Sequence, residues 1–363
     1  MICVIEKEDY NNYLSYFSKR YDFHVCNENE INLVVEFINK HWKKDHALVM
    51  SRDLMEWQHH DKLNSRYNFV IAKDKKSGEI HALEGFILSS QYDCKIDQPI
   101  RWPAIWKNRD DVGVPGLGLM VHLFAIHNIP ALCYGALGIS DIAFPLYKKL
   151  DKIGFAVQWY MLNPNKTDFK LVDNYNYDMR YNKNAIETSG SFMNCNVSDY
   201  MLLDDSFLNY IPQYKSKKYY INRYFKHPIY KYHATKICDS NKIPQAIFFW
   251  RVCTHEGARC IRIVDYFGLN YAMSGHLDDF LLLLIREDAE FIDFINVGID
   301  KKYFEDAGFI DRNTTDIILA NYFEPFLLKN IELKYAFNSE EESEKPLFFK
   351  GDSDQDRPNL LEK

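Results

Sequence analysis

The stretch Asp111-Val112-Gly113-Val114-Pro115-Gly116-Leu117-Gly118-Leu119 decides how the chain is read, because a strand-like segment turns there into a helical one. Glycines at 113, 116 and 118 let backbone approach a ligand closely, and Pro115 suits a first helical turn. The free N–H groups of a helix start, with the helix dipole, attract an anion such as pyrophosphate. The same spacing also serves ordinary helix–strand packing, so both readings stand at this point.

Before the turn, Ile100–Trp106 reads as a strand interrupted by Pro103, which a central ladder rejects and a bulge or splayed strand tolerates. Asn68–Ala72 and Ala82–Leu88 form an antiparallel hairpin around Asp74-Lys75-Lys76-Ser77-Gly78. Further back, Glu30–Trp42 carries Ile31, Val34, Val35, Ile38 and Trp42 at helical spacing with Asn29 as N-cap, followed by a shorter helix over Leu54–His59. After the turn come a helix with Leu117, Met120, Val121 and Phe124, a strand Ala131–Tyr134, a helix Ile142–Leu150 and a strand Phe155–Leu162.

Periodicity weakens over Asn163–Asn184 and Gly190–Pro212, as expected of linkers. The order then partly recurs: strands Tyr232–Cys238, Ala246–Cys253 and Cys260–Tyr266, helix Leu277–Arg286, strand Phe291–Val297, helix Asp300–Ala307, and strands Ile317–Ala320 and Ile331–Phe337. Gly154-Phe155 and Gly308-Phe309, 154 positions apart, mark a degenerate internal repeat. A chain of 363 residues exceeds what one core organises. The expected architecture is therefore α/β (α+β) with two domains, each a mixed, mostly antiparallel central sheet flanked by helices. Residues 1–165 form the first, 166–215 a linker, 216–340 the degenerate second and 341–363 an acidic tail.

Composition narrows the function classes. Hydrophobic residues make up 47% and charged residues 26%, enough apolar material for sizeable cores. A net charge of -7 without dense basic clusters speaks against nucleic acid. The eight scattered cysteines lack metal-site spacing and read as reduced, mostly buried thiols of a cytoplasmic protein. The N-terminus turns acidic before a signal-peptide core forms. The run Leu281–Leu284, flanked by Asp278, Asp279, Arg286 and Glu287, is too short for a membrane span and reads as a buried helix.

The element order, the Gly116-x-Gly118 turn after the third strand of the sheet, and Leu146-Tyr147 followed by Gly154-Phe155 resemble the GNAT acyltransferase fold. The resemblance covers Phe23–Leu162 well and the second half in outline. It implies an acyl-CoA co-substrate whose pyrophosphate sits on Val112, Gly113, Val114, Gly116, Leu117, Gly118 and Leu119, beside a bulged strand that splays to admit the pantetheine arm. It also implies Tyr147 as the acid that protonates the departing thiolate, and no metal. Two departures are visible: Gly113 stands where the family usually has Arg or Gln, and the spacing from Tyr147 to Gly154 is longer by Asp151, Lys152 and Ile153. Tyr147 also fits an amphipathic core residue.

For the general base, Glu84 lies within an apolar strand, either raised by desolvation or facing outward from the hairpin, and Asp110 flanks the third strand. Trp102, Trp106 and Arg109 form either a platform for a sugar or phosphate, or core. The second half lacks paired glycines at Tyr266-Phe267-Gly268-Leu269-Asn270 and has Phe304 at the tyrosine position, so one acyl-CoA site per chain is expected. The tail sets Asp352, Asp354 and Asp356 at alternate positions beside Arg357. It reads as a solvated terminus or as a flap offering carboxylates to an amino group, and it lacks the glycine and glutamate of a calcium loop.

Tandem proteins of this kind resemble enzymes that acylate an amino sugar or nucleotide-linked amino sugar in bacterial surface polysaccharide biosynthesis. The expected partner is a small-molecule amine acceptor, with oligomeric state left open. The alternatives are a Fem-type aminoacyl or peptidyl transferase, disfavoured by the net acidity, and a non-catalytic sugar- or nucleotide-binding protein.

Overall fold

The computed structural model describes residues 7–321, 326–339, 346–359 and 361. Residues 1–6, the acidic run 340–345 and Lys363 lie outside them. In chain order the strands are β1 (Tyr21–Asn27), β2 (His60–Asp61), β3 (Arg66–Asp74), β4 (Ile80–Leu88), β5 (Ile100–Asn108), β6 (Cys133–Leu137), β7 (Lys152–Phe155), β8 (Val157–Leu162) and β9 (Val172–Asp173). They continue with β10 (Ser191–Asn194), β11 (His233–Cys238), β12 (Pro244–His255), β13 (Ala258–Gly268), β14 (Phe291–Val297), β15 (Ile310–Asp311), β16 (Ile318–Leu319), β17 (Lys334–Ser339) and β18 (Phe348–Phe349).

The first sheet runs β1-β3-β4-β5-β6-β17-β7, with β2 on β3. All of β4 is buried because helices cover both of its faces. Leu83 packs with Ile31, Val34 and Leu54 on one side, while Ala82 and Phe86 meet Leu117, Met120 and Val121 on the other. The expected helix over Glu30–Trp42 is a short 3-10 turn, an α-helix at Ile31–Phe37 and a π-turn at Ile38–Trp42. The register of β4 against β5 steps from Gly85↔Ile105 to Phe86↔Pro103. Ala104 is thus the extra residue of a bulge, which accommodates the prolyl nitrogen in the interior of the sheet.

The second sheet runs β10-β11-β12-β13-β14-β8-β15, with β18 on β14. Two strands lie on the opposite side from their expected places. Phe155–Leu162, read from its apolar run as one strand, is two: β7 stays in the first sheet, and after the buried Ala156 the chain enters the second as β8. Conversely β17, expected in the second half, lies between β6 and β7 in the first. Each sheet therefore takes one strand from the other half, and a boundary at residue 165 or 340 does not separate the sheets. Periodicity cannot report this, since an exchanged strand has the same alternation as a retained one.

Smaller departures have local causes. Gly154 stands inside β7, where a Cβ would meet the Tyr335 ring at 2.6 Å. β16 pairs only with β9, outside both main sheets. The helix Leu277–Arg286 buries Phe280, Leu283 and Leu284 but exposes Leu282, so it is amphipathic. No described helix is long and apolar enough to cross a membrane. Cys94 is exposed, whereas the other described cysteines are buried.

The tail is interior. From Phe348, which packs on Trp102, to Asp356, the chain is buried between the sheets, and its carboxylates are matched by buried cations. Arg251 clasps Asp356 through Nε (3.1 Å) and Nη2 (2.8 Å), while Tyr232 donates to it at 2.6 Å and Lys350 lies at 3.3 Å. Burial alone would raise the Asp356 carboxyl, but Arg251 and Lys350 hold it well below the usual range. Lys215 bridges Asp352 (2.5 Å) and Asp265 (2.9 Å). Burial and the Asp265 charge, opposed by Lys215, push Asp352 up to about 6. Asp354 accepts from Arg357 at 3.0 Å. The expectation of a solvated terminus or open flap fails because alternate carboxylates read as solvent-seeking until their distant partners are known.

Removing one member of a buried pair strands the other. Arg251→Ala should lower the unfolding free energy in urea by about 3–5 kcal/mol, and the double variant Arg251→Met/Asp356→Leu should recover much of that loss.

Candidate functional site

The glycine turn feeds a helix at Leu117–Asn128, the turn helix. Gly113 (φ 58°) and Gly116 (φ 81°) occupy the left-handed region, which is the local reason for both glycines. Gly113 faces open space, whereas a Cβ on Gly118 would meet the Asn108 amide at 2.8 Å, so Gly118 serves the close packing of helix on β5. Val112, Val114 and Leu119 are partly exposed, and Leu117 is buried in the core. In the first turn Leu117 N–H donates to Val114 O (3.4 Å) and Met120 N–H to Gly116 O (2.9 Å), so Gly118 and Leu119 carry the N–H groups left to face an anion above the turn. The carboxylates beside it are neutralised: Asp110 pairs with Lys107 at 2.6 Å and Asp111 with Arg109 at 2.7 Å.

β5 and β6 are parallel partners only at Ile100↔Cys133 and Arg101↔Tyr134, after which they diverge. The equivalent strands of the second sheet, β13 and β14, pair over Ile261–Ile263 and Ile292–Phe294 and then part as well. There the opening is filled. Phe348 and Phe349 of β18 pair with Val297 and Asn296 of β14, and the Gly351 N–H donates to Val264 O of β13 at 2.7 Å. The tail thus wedges the second cleft, while none of the described strands occupies the first.

Beside the first cleft lies a buried polar cluster. Glu84 on β4 and His122 on the turn helix are both fully buried and joined by a hydrogen bond of 2.6 Å. Trp106 stacks on His122 at 4.7 Å and donates from Nε1 to Gly118 O at 2.9 Å. Tyr147, on the helix Phe144–Leu150, presents its ring edge-on to Trp106 and His122. Asp151, four residues on and capping that helix, accepts from Tyr134 and, at 2.9 Å, from Asn338 of β17. Arg101 lies over the Tyr134 ring at 5.3 Å.

Burial, reinforced by the Glu84 and Asp151 charges and opposed by Arg101, raises Tyr147 well above the ordinary phenol value, so its proton stays on at neutral pH. Burial also raises Asp151, against the hydrogen bonds from Tyr134 and Asn338. Glu84 Oε1, His122 Nε2, Arg101 Nε and Nη1, and Asp151 Oδ2 are buried without a hydrogen-bond partner. Such a concentration of unsatisfied donors and acceptors calls for water or a polar ligand to complete it.

Of the residues singled out from sequence, the structure brings together Tyr147, Glu84 and Trp106. Asp110 and Arg109 are instead members of surface ion pairs, Arg109 also reaching Glu79 at 2.7 Å. Trp102 is core: Phe348 covers its ring, so it offers no sugar platform. Asp352, Asp354, Asp356 and Arg357 are tied up in the tail network. The sequence reading missed Arg101, His122, Tyr134, Asp151 and Asn338. Only Asp151 carried a signal, standing four residues after Tyr147 in the lengthened segment.

The architecture is two mixed sheets flanked by helices, each opening between a pair of parallel strands. The chain is similar to a conserved protein of unknown function from Enterococcus faecalis V583, a probable N-acyltransferase, with a TM-score of 0.51, 8% identity, and 87% of this chain and 71% of that one covered. A GCN5-related N-acetyltransferase from Anabaena variabilis ATCC 29413 aligns with a TM-score of 0.49, 11% identity and coverage of 87% and 72%. Saccharomyces cerevisiae N-myristoyltransferase with bound myristoyl-CoA gives 0.47, 9%, and 88% and 80%. At 8% identity the likeness to the Enterococcus protein is one of fold. No family model matches the chain, and no curated protein matches its sequence.

Because Gly113 is open and left-handed, aspartate and asparagine both fit there. Gly113→Asp should weaken CoA binding about tenfold or more by calorimetry, through charge repulsion. The isosteric Gly113→Asn should bind nearly as the wild type does.

Proposed function

We propose that the protein is an acyl-CoA-dependent N-acyltransferase acting on a primary amine, with one cleft, between β5 and β6, in use. The sequence resemblance favours an amino sugar or nucleotide-linked amino sugar as acceptor. The observation that carries the reading is the placement of a phenol, Tyr147, edge-on to a histidine–carboxylate pair where the first sheet opens.

In this reading His122 Nε2 takes a proton from the amine, with Glu84 orienting the ring through Nδ1. The amine nitrogen forms a bond to the thioester carbonyl carbon, and β5 backbone N–H groups freed by the splay hold the oxyanion. Collapse breaks the C–S bond. Tyr147 gives its proton to the departing thiolate, and the amide and free CoA leave.

The test is thiol release from acetyl-CoA across a panel of amines. Tyr147→Phe should lower kcat by about 10²–10⁴ while sparing CoA affinity. Wild-type turnover in that variant, with chemistry limiting, removes Tyr147 from the reaction. CoA binding without thiol release from any amine makes the protein a binding module instead.

A further inference from the structure

Arg101 is the last residue of β5 to pair with β6, and its side chain is only 1% exposed. A buried guanidinium is ordinarily held by a carboxylate or several carbonyls, because an unpaired buried charge is costly. Here Nε and Nη1 have no hydrogen-bond partner. The two carboxylates within electrostatic reach, Glu84 and Asp151, make their hydrogen bonds elsewhere, to His122 and to Tyr134 and Asn338. The cation is fixed over the Tyr134 ring at the point where the strands begin to part.

We propose that Arg101 anchors a carboxylate carried by one of the two substrates, so that one of them is an acid as well as a thioester or an amine. A guanidinium presents its donors in a rigid planar fork that suits carboxylate oxygens, and exclusion of water strengthens the contact. The unpartnered Glu84 Oε1 and Asp151 Oδ2 offer acceptors to the N–H groups of an amine in the same cluster. An amine bearing a carboxylate therefore fits with both ends satisfied, and so does a dicarboxylic acyl group opposite a plain amine. The inference rests on the cleft being the acyl-transfer site.

Two matched pairs of probes separate the sources on the full-length protein, read by calorimetry: succinyl-CoA against butyryl-CoA, and L-alanine against ethylamine in the presence of CoA. The carboxylated member of one pair should bind about 10- to 100-fold tighter. Arg101→Gln should erase that preference, and Arg101→Lys should retain part of it. Equal binding within both pairs by the wild type overturns the proposal and assigns water to the guanidinium, and so does a preference that survives Arg101→Gln. If Arg101→Gln does not fold, the wild-type comparison decides alone. Thiol release from butyryl-CoA is scored separately, so failure of the carboxylate anchor is distinguishable from failure of the acyltransferase reading.

Discussion

The chain changes sheets at Ala156, and the rest of the molecule depends on that crossing. The extended run Lys152–Leu162 is hydrogen-bonded to β17 before it and to β14 after it. Every strand seeks a partner for its backbone groups, so the position vacated on each side is taken by a strand from the other half. β17 returns to close the first sheet, and with it comes Asn338, which holds Asp151 beside Tyr147. The cluster of the first half is thus completed by a residue nearly two hundred positions away, and neither sheet is whole without the other half.

The openings of the two sheets are unequal, and the tail makes them so. Both sheets open between a pair of parallel strands, since in each the pairing stops after a few residues. In the second, β18 enters the opening, and the charges that follow it are clasped by Lys215, Arg251 and Lys350. Burying so many ions is favourable only when each is matched, and the tail's regular spacing of acids meets a matching set of cations. In the first, the opening is bordered by the glycine turn and by a cluster with unsatisfied polar atoms. The second opening is filled by the tail, whereas the first is bordered by polar atoms left without hydrogen-bond partners.

What the sequence disclosed and what it hid follow from range. The hairpin, the bulged strand at Pro103, the turn at Gly113–Gly118 and the helix bearing Tyr147 are local, set by periodicity, glycine conformation and proline, and they stand where the pattern puts them. The exchanged strands and the tail are set by partners far along the chain. Asp352, Asp354 and Asp356 look solvated because the neighbouring Lys350 and Arg357 alone do not match three buried acids. Lys215 and Arg251 sit more than a hundred residues away. Glu84 was visible as an acid in an apolar strand, but its partner His122 lies on the next helix and has no spacing signature. Arg101 looked ordinary beside Trp102 until the parting of β5 and β6 placed it.

The central claim is that the first cleft receives acyl-CoA and the second, wedged by β18, does not. Isothermal titration of CoA into the full-length chain measures this directly. The account predicts a stoichiometry of one CoA per chain. A stoichiometry of two, or no binding at all, contradicts it.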